Sequence, residues 1–253
     1  QGGAEVVLLA PTNIAGPHQF ICVQAPPADD PAVLPTASPA LAVAFWTFTG
    51  ELVGALTRRG KMPPMYQSVL VPGGRERNEE HLGRIWEPAT VQPQAEGALG
   101  TAFLDALAAC IERLAATQLE GFSEAGRLMG DTLAAGKTVW YAALGHMPPE
   151  QPGQIGDPGL LKPLPVGPAP EGLAEHVQPG DLICYVGYYE PWGPWVEAAH
   201  AAGARIVTIV SGTPERAAED MGADLNLNGC WPFGDSLVEV PGYDVKILPA
   251  SGI

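Results

Sequence analysis

The chain has 253 residues, enough for one large domain or two small ones. Apolar residues make up 46% of it, which supports a packed core and excludes disorder throughout. A formal net charge of −15 repels nucleic-acid phosphates and anionic membranes, so we expect neither as a partner.

Residues 1–97 are predicted to form an N-terminal segment of short strands followed by one long helix. The strands are the apolar runs Val6–Ala10 and Phe20–Gln24. Ser38 is a suitable N-cap for the helix, and Gly60 is a suitable end. Polar residues interrupt the apolar run inside this helix. No uninterrupted apolar run reaches the ~18 residues of a membrane span, so we expect no span.

Residues 98–253 are predicted to form an α/β domain. Two helices open it, Leu99–Leu114 and Glu120–Ala134, each with apolar residues at helical spacing. Strands and helices then alternate: strands Thr138–Leu144, Asp181–Val186, Arg205–Val210, Asp224–Leu227, Leu237–Val240 and Val245–Leu248, with helices Trp195–Ala202 and Pro214–Met221. This alternation predicts a three-layer sandwich, flavodoxin-like or Rossmann-type, around a mainly parallel sheet of about five strands.

The loops at the carboxyl ends of these strands are where a ligand is expected. Parallel strands end at the same edge of a sheet, and ligands of open α/β sheets bind beyond that edge. The loops concerned start at Gly145, Gly187, Ser211 and Gly229.

Several common site types lack support in this chain. Its four cysteines form no Cys-x-x-Cys pair, which argues against a zinc ribbon. Motifs for nucleotide hydrolysis, zinc proteolysis and serine hydrolysis do not occur in the sequence. We therefore expect no metal ion and no cofactor. No secretory leader is recognisable, so we expect a cytoplasmic protein, or an exported one if a leader has been removed.

Stretches of the second half resemble the sugar isomerase (SIS) family of phosphosugar-binding domains. Val177-Gln-Pro-Gly-Asp-Leu-Ile-Cys-Tyr-Val186 is similar to the family's L-x-x-G-D-x-x-I strand. Trp195-Val-Glu-Ala-Ala-His-Ala-Ala-Gly-Ala-Arg-Ile-Val-Thr-Ile-Val-Ser211 is similar to its A-x-x-x-G-A-x-x-I-x-I-T-S helix and strand. Gly145-His146 follows the first strand, where the family carries a Gly-x-Gly-His-Ser loop.

The N-terminal segment resembles the tail of the same kind of domain. Pro35-Thr-Ala-Ser38 leads into the long helix, and Gly60-Lys-Met-Pro-Pro-Met-Tyr-Gln-Ser68 and Pro72-Gly-Gly-Arg-Glu-Arg-Asn78 follow it. The body of the resemblance, by contrast, lies in residues 99–253. Either the chain is a tandem whose first repeat is cut short, or the order of its parts is permuted.

The resemblance implies an aldose–ketose phosphosugar isomerase or a relative of one. In such a protein a carboxylate moves a proton between adjacent carbons, and a histidine can help open the sugar ring. These roles would fall to Glu190 and His146, with Glu150 as a further candidate base. The expected ligand is a sugar or sugar phosphate. Its binding residues would be Gly145, Tyr188, Trp192, Ser211, Gly212, Thr213 and Ser251.

Two loops of the expected site differ in how well they match the family. Ser211-Gly-Thr213 suits a phosphate, because we expect Thr213 to cap a helix whose free N–H groups would face the anion. The loop Gly187-Tyr-Tyr-Glu-Pro-Trp-Gly193 has aromatic residues where the family has serines. Those rings would either stack on a sugar or plug the site. The alternative function is therefore a non-catalytic carbohydrate-derivative-binding or scaffold protein.

The resemblance also implies a homodimer or higher oligomer. SIS relatives pair through their long helices. The candidates here are helix Leu99–Leu114 and helix Ala40–Arg59, the second of which is too apolar for a fully solvated face.

Overall fold

The computed structural model describes residues 7–10, 19–22, 37–88, 91–144, 159–165, 172–188 and 194–250. Its elements, in chain order, are β1 (Val7–Ala10), β2 (Gln19–Cys22), α1 (Ala37–Thr57), α2 (Gly74–His81), α3 (Ala98–Thr117), α4 (Leu119–Ala134), β3 (Val139–Leu144), β4 (Leu161–Pro163), α5 (Leu173–His176), β5 (Leu182–Gly187), α6 (Trp195–Ala201), β6 (Arg205–Val210), β7 (Leu225–Asn228), β8 (Ser236–Val238) and β9 (Ile247–Pro249).

The chain divides into two compact units, and the boundary falls within α3. The first unit comprises Gln1–Leu107 and Ser236–Pro249, and the second is essentially Ala108–Asp235.

A five-stranded, all-parallel sheet forms the centre of the second unit. The strand order is β4-β3-β5-β6-β7, which is the flavodoxin-like order 2-1-3-4-5 when these strands are counted from β3. Neighbouring side chains along each strand point to opposite faces. In β6, for example, Ile206 packs with α5 and α6, whereas Val207 packs with α4. Helices therefore cover both faces, and the predicted three-layer sandwich is confirmed.

Neither β4 nor α5 is predicted from the sequence; both lie between the predicted strands Thr138–Leu144 and Asp181–Val186. β4 is only three residues long and pairs with β3 at the edge of the sheet. Its Pro163 is tolerated there because an edge strand has one side without a ladder partner.

The helix predicted over Pro214–Met221 does not form. Instead, the N–H of Thr213 donates to the carbonyl of Arg216 at 2.8 Å, and the N–H of Arg216 donates back at 3.3 Å. This reciprocal pair closes a turn. It uses the Thr213 carbonyl that an α-helix would offer to the N–H four residues on.

The sequence predicts that the last two strands continue the series of the parallel sheet. In the structure they do not join that sheet. β8 and β9 pair antiparallel with each other and belong to the first unit. The connection between them, residues 239–246, is shorter than the dozen or so residues that a parallel crossover needs.

The first unit has its own core, to which α1, the start of α3, and β8 and β9 contribute. Its buried residues include Val53, Met62, Phe103, Val238 and Ile247. Among the described residues, α1 is the one helix whose length and composition would suit a membrane span, over Pro39–Thr57.

In the structure, α1 is fastened to the start of α3 by a carboxylate. Both oxygens of Glu51 accept hydrogen bonds, from the N–H groups of Gly97 and Gly100, each at 2.8 Å. These N–H groups belong to the first turn of α3 and its approach, where no intrahelical acceptor exists. The Glu51 carboxylate, in the middle of α1, is therefore hydrogen-bonded to the backbone at the start of α3.

A partly buried polar network holds α2 to the connection between β8 and β9. Arg77 donates to Asp244 at 2.8 Å and to the Tyr243 hydroxyl at 3.2 Å. That hydroxyl donates to Glu87 at 3.0 Å, and Glu87 lies 2.6 Å from Nδ1 of His81. Burial raises the pKa of Tyr243, so the phenol stays a donor at neutral pH.

Candidate functional site

The strand ends at the carboxyl edge of the parallel sheet are level with one another. In the register, Leu144 pairs with Gly187, Gly187 with Val210, and Val210 with Asn228. The residues that follow these positions therefore leave the sheet side by side. This arrangement brings Tyr188, Ser211 and Gly229 to one edge, as the sequence predicted for their loops.

Several predicted site residues lie outside the described residues. They are Gly145, His146, Glu190, Trp192 and Ser251. Both catalytic candidates are among them, as is Glu150. Of the predicted ligand-binding residues, the structure describes Tyr188, Ser211, Gly212 and Thr213.

The hydroxyls of the loop after β6 are engaged by their own backbone. Ser211 is 1% exposed, and its Oγ donates to the carbonyl of Gly212 at 3.0 Å. Oγ1 of Thr213 accepts the N–H groups of Glu215 at 3.3 Å and Arg216 at 3.1 Å. Because no helix starts here, the phosphate-binding helix N-terminus expected from the sequence is absent from this loop.

Gly212 is held in this loop by close packing. A Cβ placed on it would lie 3.2 Å from the N of Ala218 and 3.3 Å from the carbonyl O of Arg216. Because both contacts are to backbone atoms, the turn leaves little room for any side chain at position 212.

A second loop at this edge follows β7 and contains residues that the sequence did not single out. The N–H of Gly229 donates to the carbonyl of Val210 at 2.9 Å, which continues the pairing of β6 with β7. The Trp231 ring packs directly against Gly229, where any Cβ would collide with it. Cys230 has a φ of 63°, a left-handed conformation uncommon for a residue with a side chain. The Asn-Gly pair before it was the available signal.

Side chains of neighbouring helices pack around the end of β7. Nη2 of Arg113 donates to the carbonyl of Cys230 at 3.0 Å. Oε1 of Gln118, just before α4, accepts the N–H of Asn228 at 3.0 Å. The Arg113 guanidinium therefore contacts this loop, and a backbone carbonyl already occupies one of its donors.

Two aromatic residues lie beneath the end of β5. Tyr185 and Trp195 are 2% and 1% exposed, and their ring centroids are 5.7 Å apart. The Tyr185 hydroxyl reaches the end of the strand, since a Cβ on Gly187 would lie 2.7 Å from it. Trp195 is the first residue of α6, directly after the loop that follows β5. Nothing in the sequence separates these two residues from ordinary core residues.

The Gly-Asp motif before β5 lies at the opposite, amino edge and has a structural task. Asp181 is 3% exposed, and its carboxylate accepts three hydrogen bonds: from the N–H of Thr138 and the N–H of Gln178, each at 3.0 Å, and from Nε1 of Trp140 at 2.9 Å. Burial alone would raise the pKa of Asp181, but these donors outweigh it and the pKa lies below its usual value. The motif therefore joins the starts of β3 and β5.

The described cysteines and carboxylates offer no metal centre. Within the described ranges, no group of three or more histidine, cysteine or acidic side chains could hold a metal ion. Cys110, Cys184 and Cys230 are buried free thiols. Burial raises the pKa of Cys184 to about 12, so its thiol stays protonated at neutral pH.

Comparison with protein-family models and with curated proteins gives no match to this chain.

Proposed function

We propose that the second unit binds a small carbohydrate derivative, a sugar or a sugar phosphate, at the carboxyl edge of its parallel sheet. The observation that carries this proposal is the level register of the strand ends in a sheet of order 2-1-3-4-5. In such sheets the crevice beyond the carboxyl ends, beside the first and third strands, is the usual ligand position. Here those strands are β3 and β5.

Two functions share this site, and they differ in chemistry. As an SIS-like aldose–ketose isomerase, the protein would use Glu190 to move a proton between carbons and His146 to assist ring opening. As a non-catalytic binding protein, it would only need to hold the sugar. The geometry after β6 favours the second function, because the Ser211 hydroxyl already donates to a backbone carbonyl and no helix begins at Thr213.

A thermal-shift panel separates the two functions. Hexose and pentose phosphates are compared with the same sugars unphosphorylated, each over a concentration series. A ligand at 100 times its Kd stabilises the folded state by about 2.7 kcal/mol. Stabilisation by phosphates alone supports the isomerase, and stabilisation by neutral sugars supports the binding protein. No shift with either class contradicts both.

A double variant tests whether the loop after β6 holds an anion. If Ser211 and Thr213 bind a phosphate, changing both to Ala should weaken phosphate binding by about 1–3 kcal/mol, the usual loss for hydrogen bonds to a charged group. If these hydroxyls only bond to the backbone of their own loop, the affinity for the phosphate stays the same. Calorimetric titration of wild type and variant distinguishes these results.

We propose that the protein forms a homodimer or higher oligomer through the outer face of α1. Phe45 and Leu52 on this face are 51% and 49% exposed. Leu41, Phe48 and Leu56 lie on the same side of the helix at spacings of three and four. A continuous apolar stripe of this kind marks an interaction surface. By contrast, Leu99, Phe103 and Leu107 of α3 are buried within the chain, so α1 is the better candidate.

Sedimentation of a single variant tests this surface. Leu52→Glu places a charge in the stripe and should convert the oligomer to a monomer at micromolar concentration. Glu79→Gln, on an exposed position of α2, is the matched control and should leave the oligomer intact. A wild-type protein that sediments as a compact monomer would contradict the proposal.

A further inference from the structure

The indole of Trp195 has a polar atom that the described fold leaves unused. Its ring is 1% exposed, and no described group accepts a hydrogen bond from Nε1. Buried N–H groups are almost always paired, so an unpaired one requires an explanation. Trp140 shows the ordinary arrangement in the same unit, because its Nε1 donates to Asp181 at 2.9 Å.

The position of Trp195 connects this donor to the proposed ligand site. Trp195 starts α6, immediately after the loop that leaves the carboxyl end of β5. It packs against Tyr185, whose hydroxyl reaches the backbone of Gly187 at that strand end. An indole can donate but cannot accept, so its partner must supply an oxygen with a free lone pair.

Two side-chain donors that a phosphate could use near the end of β6, the Ser211 hydroxyl and Nε of Arg216, are already bonded to backbone carbonyls. Ser211 donates to a backbone carbonyl, and the hydroxyl of Thr213 accepts two N–H groups of its own turn. Nε of Arg216 donates to the carbonyl of Asp220. The segment after Thr213 is a turn rather than a helix, so it presents no row of free N–H groups. Among the described residues, the buried indole donors without a partner on this side are the uncharged N–H groups of Trp195 and Trp231.

We infer that the ligand of this edge is a neutral polyol or unphosphorylated sugar, one of whose oxygens accepts a hydrogen bond from Nε1 of Trp195. This inference rests on the proposed ligand site. A hydroxyl or ring oxygen is a good acceptor for a neutral N–H. A dianionic phosphate would meet the strongly acidic chain.

The test follows the indole N–H signals of the full chain in solution. The protein is labelled with ¹⁵N-tryptophan, and the Trp195 and Trp140 signals are assigned with the variants Trp195→Phe and Trp140→Phe. Glucose, galactose, mannose and sorbitol are titrated in, followed by glucose 6-phosphate and fructose 6-phosphate. We expect a neutral compound to bind, to move the Trp195 signal downfield, and to leave the Trp140 signal in place.

Affinities of the two variants supply a second readout. Trp195→Phe should raise the Kd for the neutral compound about 3- to 10-fold, the usual effect of one lost neutral hydrogen bond. Trp140→Phe removes an indole of equal size at the amino edge and should leave the Kd within twofold. The chemical-shift measurement is made on the wild type, and triple-resonance assignment of the wild-type chain identifies the two indole signals if a variant fails to fold.

Each other outcome has a distinct meaning. Binding of the phosphates alone overturns the inference and leaves the proposed site standing. Binding of a neutral compound without any change at Trp195 also overturns the inference alone. If none of the six compounds binds, the proposed carbohydrate site fails, and the inference fails with it.

Discussion

Asp181 is the residue whose replacement should destabilise the second unit most clearly. Its carboxylate receives one N–H at Oδ1, from Thr138, and two at Oδ2, from Gln178 and the Trp140 indole. In Asp181→Asn the amide oxygen can take the place of Oδ2 and accept from Gln178 and Trp140. The new NH₂ group then faces the N–H of Thr138, so one buried donor is left without an acceptor.

The expected loss follows from these bonds. One orphaned buried donor together with the loss of charge-assisted bonding should cost about 2–3 kcal/mol for Asp181→Asn. Asp181→Ala orphans all three donors and should cost about 3–5 kcal/mol, a large share of the ~5–15 kcal/mol that stabilises a typical domain. Asp220→Asn, at an exposed position, is the control and should change stability by about 0.5 kcal/mol or less.

Urea unfolding monitored by circular dichroism measures these differences. The pH dependence adds a signed check, because the pKa of Asp181 is lower in the folded chain than its ordinary value. The carboxylate therefore contributes stability above the unfolded pKa of about 3.9, and that contribution is lost as the pH falls through the folded pKa. The gap between wild type and Asp181→Asn should narrow below about pH 4. A variant as stable as wild type at pH 7 would refute the reasoning.

Three further predictions concern other parts of the chain. Glu51→Ala should lower the free energy of unfolding by about 1–2 kcal/mol, because the start of α3 loses its acceptors, and should speed amide exchange there. Gly212→Ala should lower the free energy of unfolding in urea by about 1–2 kcal/mol, because the added Cβ contacts backbone atoms. The control Gly126→Ala adds a Cβ in open space on α4 and should raise the free energy of unfolding by about 0.5–1 kcal/mol. Cys184 should resist Ellman's reagent at pH 8 in the native chain and react once the chain is unfolded, because burial raises its pKa to about 12; rapid native reaction would contradict this.

The parallel sheet could be predicted from the sequence because its strands are short apolar runs separated by helical patterns. The apolar runs that form β3, β5, β6 and β7 each predict a strand, and their order in the chain implies a common carboxyl edge. β4 was missed because three residues between prolines and glycines carry no periodic signal. The antiparallel pairing of β8 with β9 follows from a short connection, which could have been recognised.

The helix expected after Thr213 failed for a tertiary reason. Thr213 followed by a proline is a good helix start by local preference. The chain instead turns back at Arg216 and packs Ala218 against Gly212. Local capping chemistry cannot foresee such a contact, and the phosphate site predicted on that helix depended on it.

Trp195 and Trp231 show which part of the candidate site lay beyond the sequence. Both resemble ordinary core aromatics, because an indole gives no indication in a sequence of whether its N–H finds an acceptor. Only the packed arrangement shows that Trp140 is paired and that these two indoles are not, among the described residues.

Hydrogen exchange with and without a saturating ligand tests the central claim most directly. The account predicts that a bound sugar slows exchange in peptides covering Tyr185–Tyr188, Val210–Thr213 and Asn228–Trp231, which leave the sheet at one edge. Peptides around Gln178–Asp181 at the amino edge should be unaffected. Protection confined to the amino edge or to the first unit would contradict the placement of the site.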